Sequence, residues 1–262
     1  MQRGETWVRL DQKDAAAPLA QGARISDGSR LELGEGAEIT IRTASYREIT
    51  IHGPATAEVC SNGDDGVLLS HGRISAFPGT GVRPGVEVWV ATPLGVVRYS
   101  DAKIDLEVAG SEGDRLTAGA AIGQAEFVPA PGVRIERGAA DQRGPPSPFA
   151  EVPMKAGVSL VAVRPPTPLV RLMPELVHAC SRESDAAAGA AMRVADAAPS
   201  DGGSLGERTS AHVRAKRRAR AACESARAAA LLGPSALEGS LLSELLAADE
   251  KRNRLTPLPA RR

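Results

Sequence analysis

The chain has 262 residues, enough for one domain with a substantial core or two small ones. Hydrophobic residues make up 42% but aromatic residues only 3%, so the core has to be built from Val, Leu, Ile and Ala. The 32 basic and 32 acidic residues cancel, which excludes a global field drawing the chain to nucleic acid or anionic lipid and leaves only local patches.

No apolar run is long enough to cross a bilayer, and no signal peptide opens the sequence. Read literally, such a chain is soluble and cytoplasmic; a missing natural beginning would change that reading. Cys60, Cys180 and Cys223 lie far apart, with no Cys-x-x-Cys, which excludes a zinc ribbon or a thioredoxin-type motif. Two readings stay open: three buried thiols, or one disulfide and one free thiol in an oxidising compartment.

Trp7 to Leu10 is a short strand candidate, and Asp11 to Ala20 a loop. From Gly22 to Val108, short runs with apolar residues at every second place alternate with Gly, Asp, Asn and Pro breaks. That is the pattern of seven or eight short strands with one face buried. Asp27-Gly28 and Asn62 to Gly66 are turns, and Gly53-Pro54 and Phe77-Pro78-Gly79 break strands. Gln124 to Val128 and Val133 to Glu136 continue the strands, Gly138 to Pro148 reads as a surface loop, and Val152 to Val163 as a closing hairpin.

Residues 164–173, with Arg164-Pro-Pro-Thr-Pro168, read as a stiff Pro-rich linker. A helical segment follows over 174–252. Its first helix has Pro174 in the first turn and Leu176, Val177, Cys180, Ala187, Ala191 and Val194 at helical spacing. After a Ser/Gly loop at Pro199 to Gly206, Thr209 or Ser210 caps a second helix from about Ala211 to Leu232. A third spans about Ser235 to Lys251, and 253–262 is a polar tail. The fold class is therefore α+β: a β-roll, sandwich or short β-solenoid over 1–163, then an Ala-rich helical segment.

Four segments in series carry a resemblance to a known family. They are Asp27-Gly28-Ser29-Arg30-Leu31-Glu32-Leu33, His52-Gly53-Pro54-Ala55, Leu68-Leu69-Ser70-His71-Gly72-Arg73-Ile74, and Val88-Trp89-Val90-Ala91-Thr92-Pro93-Leu94-Gly95-Val96-Val97. In order and spacing this stretch resembles the FecR family, the periplasmic regulators of iron-siderophore signalling and their relatives. The family follows its Thr-Pro-x-Gly with a Gly-Thr-x-Phe turn, where this chain has Tyr99-Ser100-Asp101-Ala102-Lys103. Its full-length regulators also place a cytoplasmic anti-sigma segment and a membrane helix before this domain, and neither is seen here. The resemblance implies a β-rich, non-catalytic sensor or adaptor of the bacterial cell envelope, periplasmic, with a protein partner.

His52 and His71 fall on neighbouring strands, but no His-x-His with a nearby Glu exists, so no metal site is expected. No Gly-x-Ser-x-Gly is present. Glu32, Glu38, Glu58 and Glu87 alternate with apolar residues and point outward rather than into an acid pair. No catalytic residue and no cofactor is therefore expected.

Arg214, Lys216, Arg217, Arg218 and Arg220 form the one dense basic run, a candidate anion contact or a solvated helix face. Cys180 and Cys223 are the candidate disulfide, since each falls on the apolar stripe of a predicted helix. Trp89, Tyr99 and Arg73 are the candidate partner surface. Alternation places Trp89 opposite Val88 and Val90, so core is the competing reading for it. The rival functions are a carbohydrate- or peptidoglycan-binding module and, through the basic helix, a nucleic-acid binder. The helical tail is expected to dock on the β domain or to join a homo-oligomer.

Overall fold

The computed structural model describes residues 2–3, 6–9, 17–20, 22–43, 47–60, 66–77, 87–110, 113–137, 149–195, 202–233 and 239–253. The expected turn at 62–65, the loop at 138–148 and the tail from 254 lie outside the described residues.

The described strands are β1 (Gln2–Arg3), β2 (Thr6–Arg9), β3 (Ala17–Pro18), β4 (Arg30–Leu33), β5 (Glu38–Arg42), β6 (Glu48–Cys60), β7 (Gly66–Phe77) and β8 (Val88–Thr92). They continue with β9 (Gly95–Tyr99), β10 (Lys103–Ala109), β11 (Arg115–Ile122), β12 (Gln124–Pro129), β13 (Arg134–Arg137), β14 (Val152–Lys155) and β15 (Ser159–Val163). Three helices follow: α1 (Leu169–Ala195), α2 (Gly202–Ala230) and α3 (Ser240–Asn253). The class is α+β, a curled β-rich sheet followed by helices.

The long pair β6–β7 is the spine. One end of it, at Glu48–His52 and Gly72–Phe77, pairs outward to β5 and β10. The other end, at Ala55–Glu58 and Gly66–Leu68, pairs outward to β4 and β8. The sheet therefore splits into two arms. The first continues from β10 through β11 and β15 to β13. The second continues from β8 through β9 and β12 to β14.

Two of the motif segments make this split. Register slips between His52 and Ala57 mark a bulge in β6, with a cis peptide before Pro54. Gly72 sits opposite, at φ 110°, where a β-carbon would lie 2.4 Å from that of Ala55. Only glycine fits there. Gly53-Pro54 therefore bends a continuous strand, where the sequence reading expects a break. A third motif, Thr92-Pro-Leu-Gly95, is the β8–β9 turn. Thr92 Oγ1 donates to the Gly95 carbonyl at 2.9 Å and accepts from Leu94 N–H at 3.3 Å.

Val152 to Val163 is not a hairpin. β14 pairs with β12 in the second arm, and β15 pairs with β11 and β13 in the first. Gly157, at φ 78°, lies in the short segment between them.

The first two helices begin earlier than expected. α1 starts at Leu169, inside the expected linker, and Leu172 N–H donates to the Pro168 carbonyl at 3.1 Å. Pro174 lies in the second turn, where its missing N–H leaves the Val170 carbonyl without a helical partner. Val170 is exposed, so water can serve that carbonyl. α2 starts at Gly202, which places Thr209 and Ser210 inside the helix. The Ser/Gly composition that reads as a loop is helical from Gly202 on.

Arg164 also departs from a free linker. Its Nη2 donates to the carbonyls of Pro93 at 2.8 Å and Pro131 at 3.3 Å. Burial pulls this guanidinium down to about 10, against a smaller upward pull from Glu175. It stays protonated at neutral pH and ties the β8–β9 turn to the chain entering α1. One continuous buried cluster runs from Leu31, Ile51, Leu69, Ile104 and Leu116 in the sheet to Leu176, Cys180, Ala226 and Leu245 in the helices.

Candidate recognition face

The two arms present different outer surfaces. The first arm is exposed. The second is capped by α2, which packs on β7, β8 and β9.

On the exposed arm, register aligns the outward side chains into cross-strand rows. One row reads Thr40, Thr50, Ser75, Asp105, Gly119, Ser159 across six strands. Thr40 and Thr50 hydroxyls are 3.0 Å apart, and Ser75 Oγ donates to Asp105 Oδ1 at 2.5 Å. At about 4.8 Å between strands, six strands make a row about 24 Å long.

The neighbouring row reads Glu38, His52, Arg73, Glu107, Thr117, Val161. His52 Nδ1 lies 3.2 Å from Glu38, and Arg73 lies 3.6 Å from Asp105. Lys103 stands over the Phe77 ring at 4.5 Å. Gly119 leaves a gap in the first row. A groove of about 330 Å³ opens there, lined by Arg73, Asp105, Glu107, Thr117, Gly119 and Ser159 among others.

The sequence-predicted site residues separate accordingly. Arg73, 58% exposed in its side chain, stands on this face. Trp89 and Tyr99 do not: they are 2% and 3% exposed, so their reading as a partner surface is corrected. Every residue of β8 and β9 is buried, because α2 covers the face that alternation would leave to solvent. The Trp89 ring lies across Gly66, where a β-carbon would come within 2.1 Å of it, and Arg220 of α2 stacks over it at 5.2 Å.

The basic run meets carboxylates of this chain. Arg98 is 3% exposed and faces Glu87, Glu126 and Glu151 at 3.7, 2.8 and 2.7 Å. Arg217 of α2 reaches Glu87 and Glu151, both at 3.7 Å, and Arg218 reaches Glu183 of α1 at 3.2 Å. Of the expected anion-contact residues, Arg217, Arg218 and Arg220 have this chain's own carboxylates and indole as partners, with the Arg217 and Arg218 side chains 43% and 49% exposed. Arg214 is exposed and Lys216 half-buried on the same helix. Replacing Arg98 by Met removes the buried cation shared by Glu87, Glu126 and Glu151, and leaves Arg217 to serve Glu87 and Glu151 alone. The expected loss is about 2 kcal/mol, read as a lower denaturation midpoint at neutral pH.

Cys180 and Cys223 are joined by a disulfide, with Cα atoms 4.5 Å apart, which makes α1 and α2 neighbours. His52 and His71 lie on either side of the β6 bulge, with Arg73 and Thr56 as their register partners. Among the described residues no three His, Cys, Asp or Glu side chains are grouped to hold a metal ion. Among them, too, no helix is long and apolar enough to cross a membrane.

No protein-family profile matches the chain, and no curated protein matches it in sequence. Two solved structures of a candidate anti-sigma factor from Parabacteroides distasonis are similar to part of it, at 9% and 8% identity and TM-scores of 0.37 and 0.38. Each match covers 50% of this chain and 53% of the other, so it spans about half the length of those proteins. A likeness that distant carries no argument about function.

The row face itself was missed by sequence reading. Its signal was present in part: the outward positions of β5, β6, β7 and β10 are mostly polar, among them Glu38, Thr40, Thr50, His52, Arg73, Ser75, Asp105 and Glu107. Which of them stand side by side depends on register, and register depends on the β6 bulge.

Proposed function

We propose that the chain is a non-catalytic, FecR-like recognition module of bacterial cell-envelope signalling, and that its exposed sheet face binds a protein partner. The observation that carries this reading is the contrast between the arms: one is capped by a helix, the other displays ordered rows of polar side chains around a groove. The strands of that face already pair with one another, so recognition there works through side chains rather than an added strand. Charges of both signs alternate along it, which suits an extended polar segment of a protein. Three of the motif segments support the family-like reading, because the bulge at Gly53-Pro54, Gly72 opposite it and the turn at Thr92 to Gly95 shape the two arms.

The carbohydrate reading loses its platform, since Trp89 and Tyr99 lie inside. A groove-plugging substitution tests the proposal. A β-carbon at Gly119 meets the Ser159 hydroxyl at 3.5 Å, an ordinary contact, so Gly119→Arg fills the groove without disturbing the sheet. Wild-type bait in envelope extract is expected to recover a discrete protein, and Gly119→Arg to lose it by about tenfold or more, a change of 1.4 kcal/mol. Equal recovery by both baits, or recovery of a sugar polymer and no protein, contradicts the proposal.

A further inference from the structure

The groove on the exposed arm has two unlike ends. It runs along β11, which turns Thr117, Gly119 and Ala121 outward. β10 forms one wall with Asp105 and Glu107, and β15 the other with Ser159. At the Thr117 end the wall is acidic. Asp105 is already engaged, by Arg73 at 3.6 Å and by the Ser75 hydroxyl at 2.5 Å. Glu107, the register partner of Thr117, is exposed and has no cationic partner among the described residues. Arg73 and Asp105 cancel, so this end keeps the negative charge of Glu107.

The other end is apolar. A bulge in β11 sets Ala121 and Ile122 together against Lys103. Ile122 is 63% exposed, Val158 of the groove wall 39%, and Phe77, beneath Lys103, 37%. Large apolar side chains gathered in solvent mark a contact surface. From Thr117 to Ala121 the strand advances four residues, about 13 Å. An extended segment laid along the groove covers that length with its residues i and i+4. Side chains at that even spacing share one face of the segment.

We propose that the groove takes an extended, otherwise polar protein segment with one apolar and one basic side chain four residues apart. The apolar side chain rests on Ile122 and Val158, the basic one pairs with Glu107, and the residue midway fills the gap over Gly119. This inference rests on the reading that the exposed face binds a protein, and it names the chemistry of the segment bound.

The probe is a library of random short peptides displayed on phage, selected on the full-length chain and screened again on Gly119→Arg. Selected peptides are expected to carry a large apolar residue and a Lys or Arg four positions apart, and to lose binding to Gly119→Arg by about tenfold or more. Glu107 and Ile122 are exposed, so substitutions there leave the core untouched. Glu107→Lys is expected to weaken the selected peptides about tenfold, by turning attraction into repulsion, and changing their basic residue to Glu restores binding to that variant. Ile122→Ser is expected to remove the advantage of the apolar residue and leave that of the basic one. Peptides that depend on the open groove but share no such pair overturn the inference and leave the protein-binding face standing. So does a charge exchange that fails to restore binding. Selected peptides that bind the wild type and Gly119→Arg equally, or a library from which nothing is selected, overturn both.

Discussion

Gly72→Val is expected to destabilise the protein by about 4 kcal/mol, enough to lower its thermal midpoint by about 10 °C. Two effects add. A valine at φ 110° is held in a region that side chains avoid, and its β-carbon would press on Ala55 at 2.4 Å and the Pro54 carbonyl at 2.8 Å. Neither neighbour can retreat, because both belong to the β6 bulge against which β7 packs. The position is the point where the spine divides into two arms, so strain there reaches both. Gly28→Val is the matched control. It also has positive φ, at 76°, but meets nothing within 4 Å. It is expected to cost only the backbone part, about 1–2 kcal/mol.

Phe127→Ala is expected to cost about 4 kcal/mol, seen as a lower denaturant midpoint with an unchanged slope. The chain has few aromatic residues to fill its interior. The Phe127 ring is fully buried on β12 and lies so close to Gly95 that a β-carbon there would come within 2.8 Å of it. Truncation leaves a hole between β9 and β12, and the small Val, Ala and Gly neighbours cannot close it. Phe127→Leu keeps most of the volume and is expected to lose less than half as much.

Much of this architecture is legible in residues. Alternation in Glu38–Arg42 and Lys103–Ala109 marks strands, and the structure has them there with the apolar face in. The spacing of Leu176, Val177, Cys180 and Ala187 marks α1. What alternation cannot reveal is a second cover. β8 and β9 read as half-exposed strands, yet α2 covers the face opposite the core, which moves Trp89 and Tyr99 inside. Likewise Arg217, Arg218 and Arg220 read as a free basic run because their partners, Glu87, Glu151, Glu183 and Trp89, lie far away in sequence. Long-range pairing also undid the expected hairpin at 152–163, whose two strands each found a better neighbour in a different arm.

The recognition face is the claim on which the functional account rests, and photo-crosslinking in intact envelopes tests it most directly. A benzophenone side chain replaces Thr117 in the groove, or Ser243 on the exposed side of α3 as the reference. The account predicts one discrete protein adduct from position 117 and none from 243. Adducts from 243 alone, or from neither position, would contradict it.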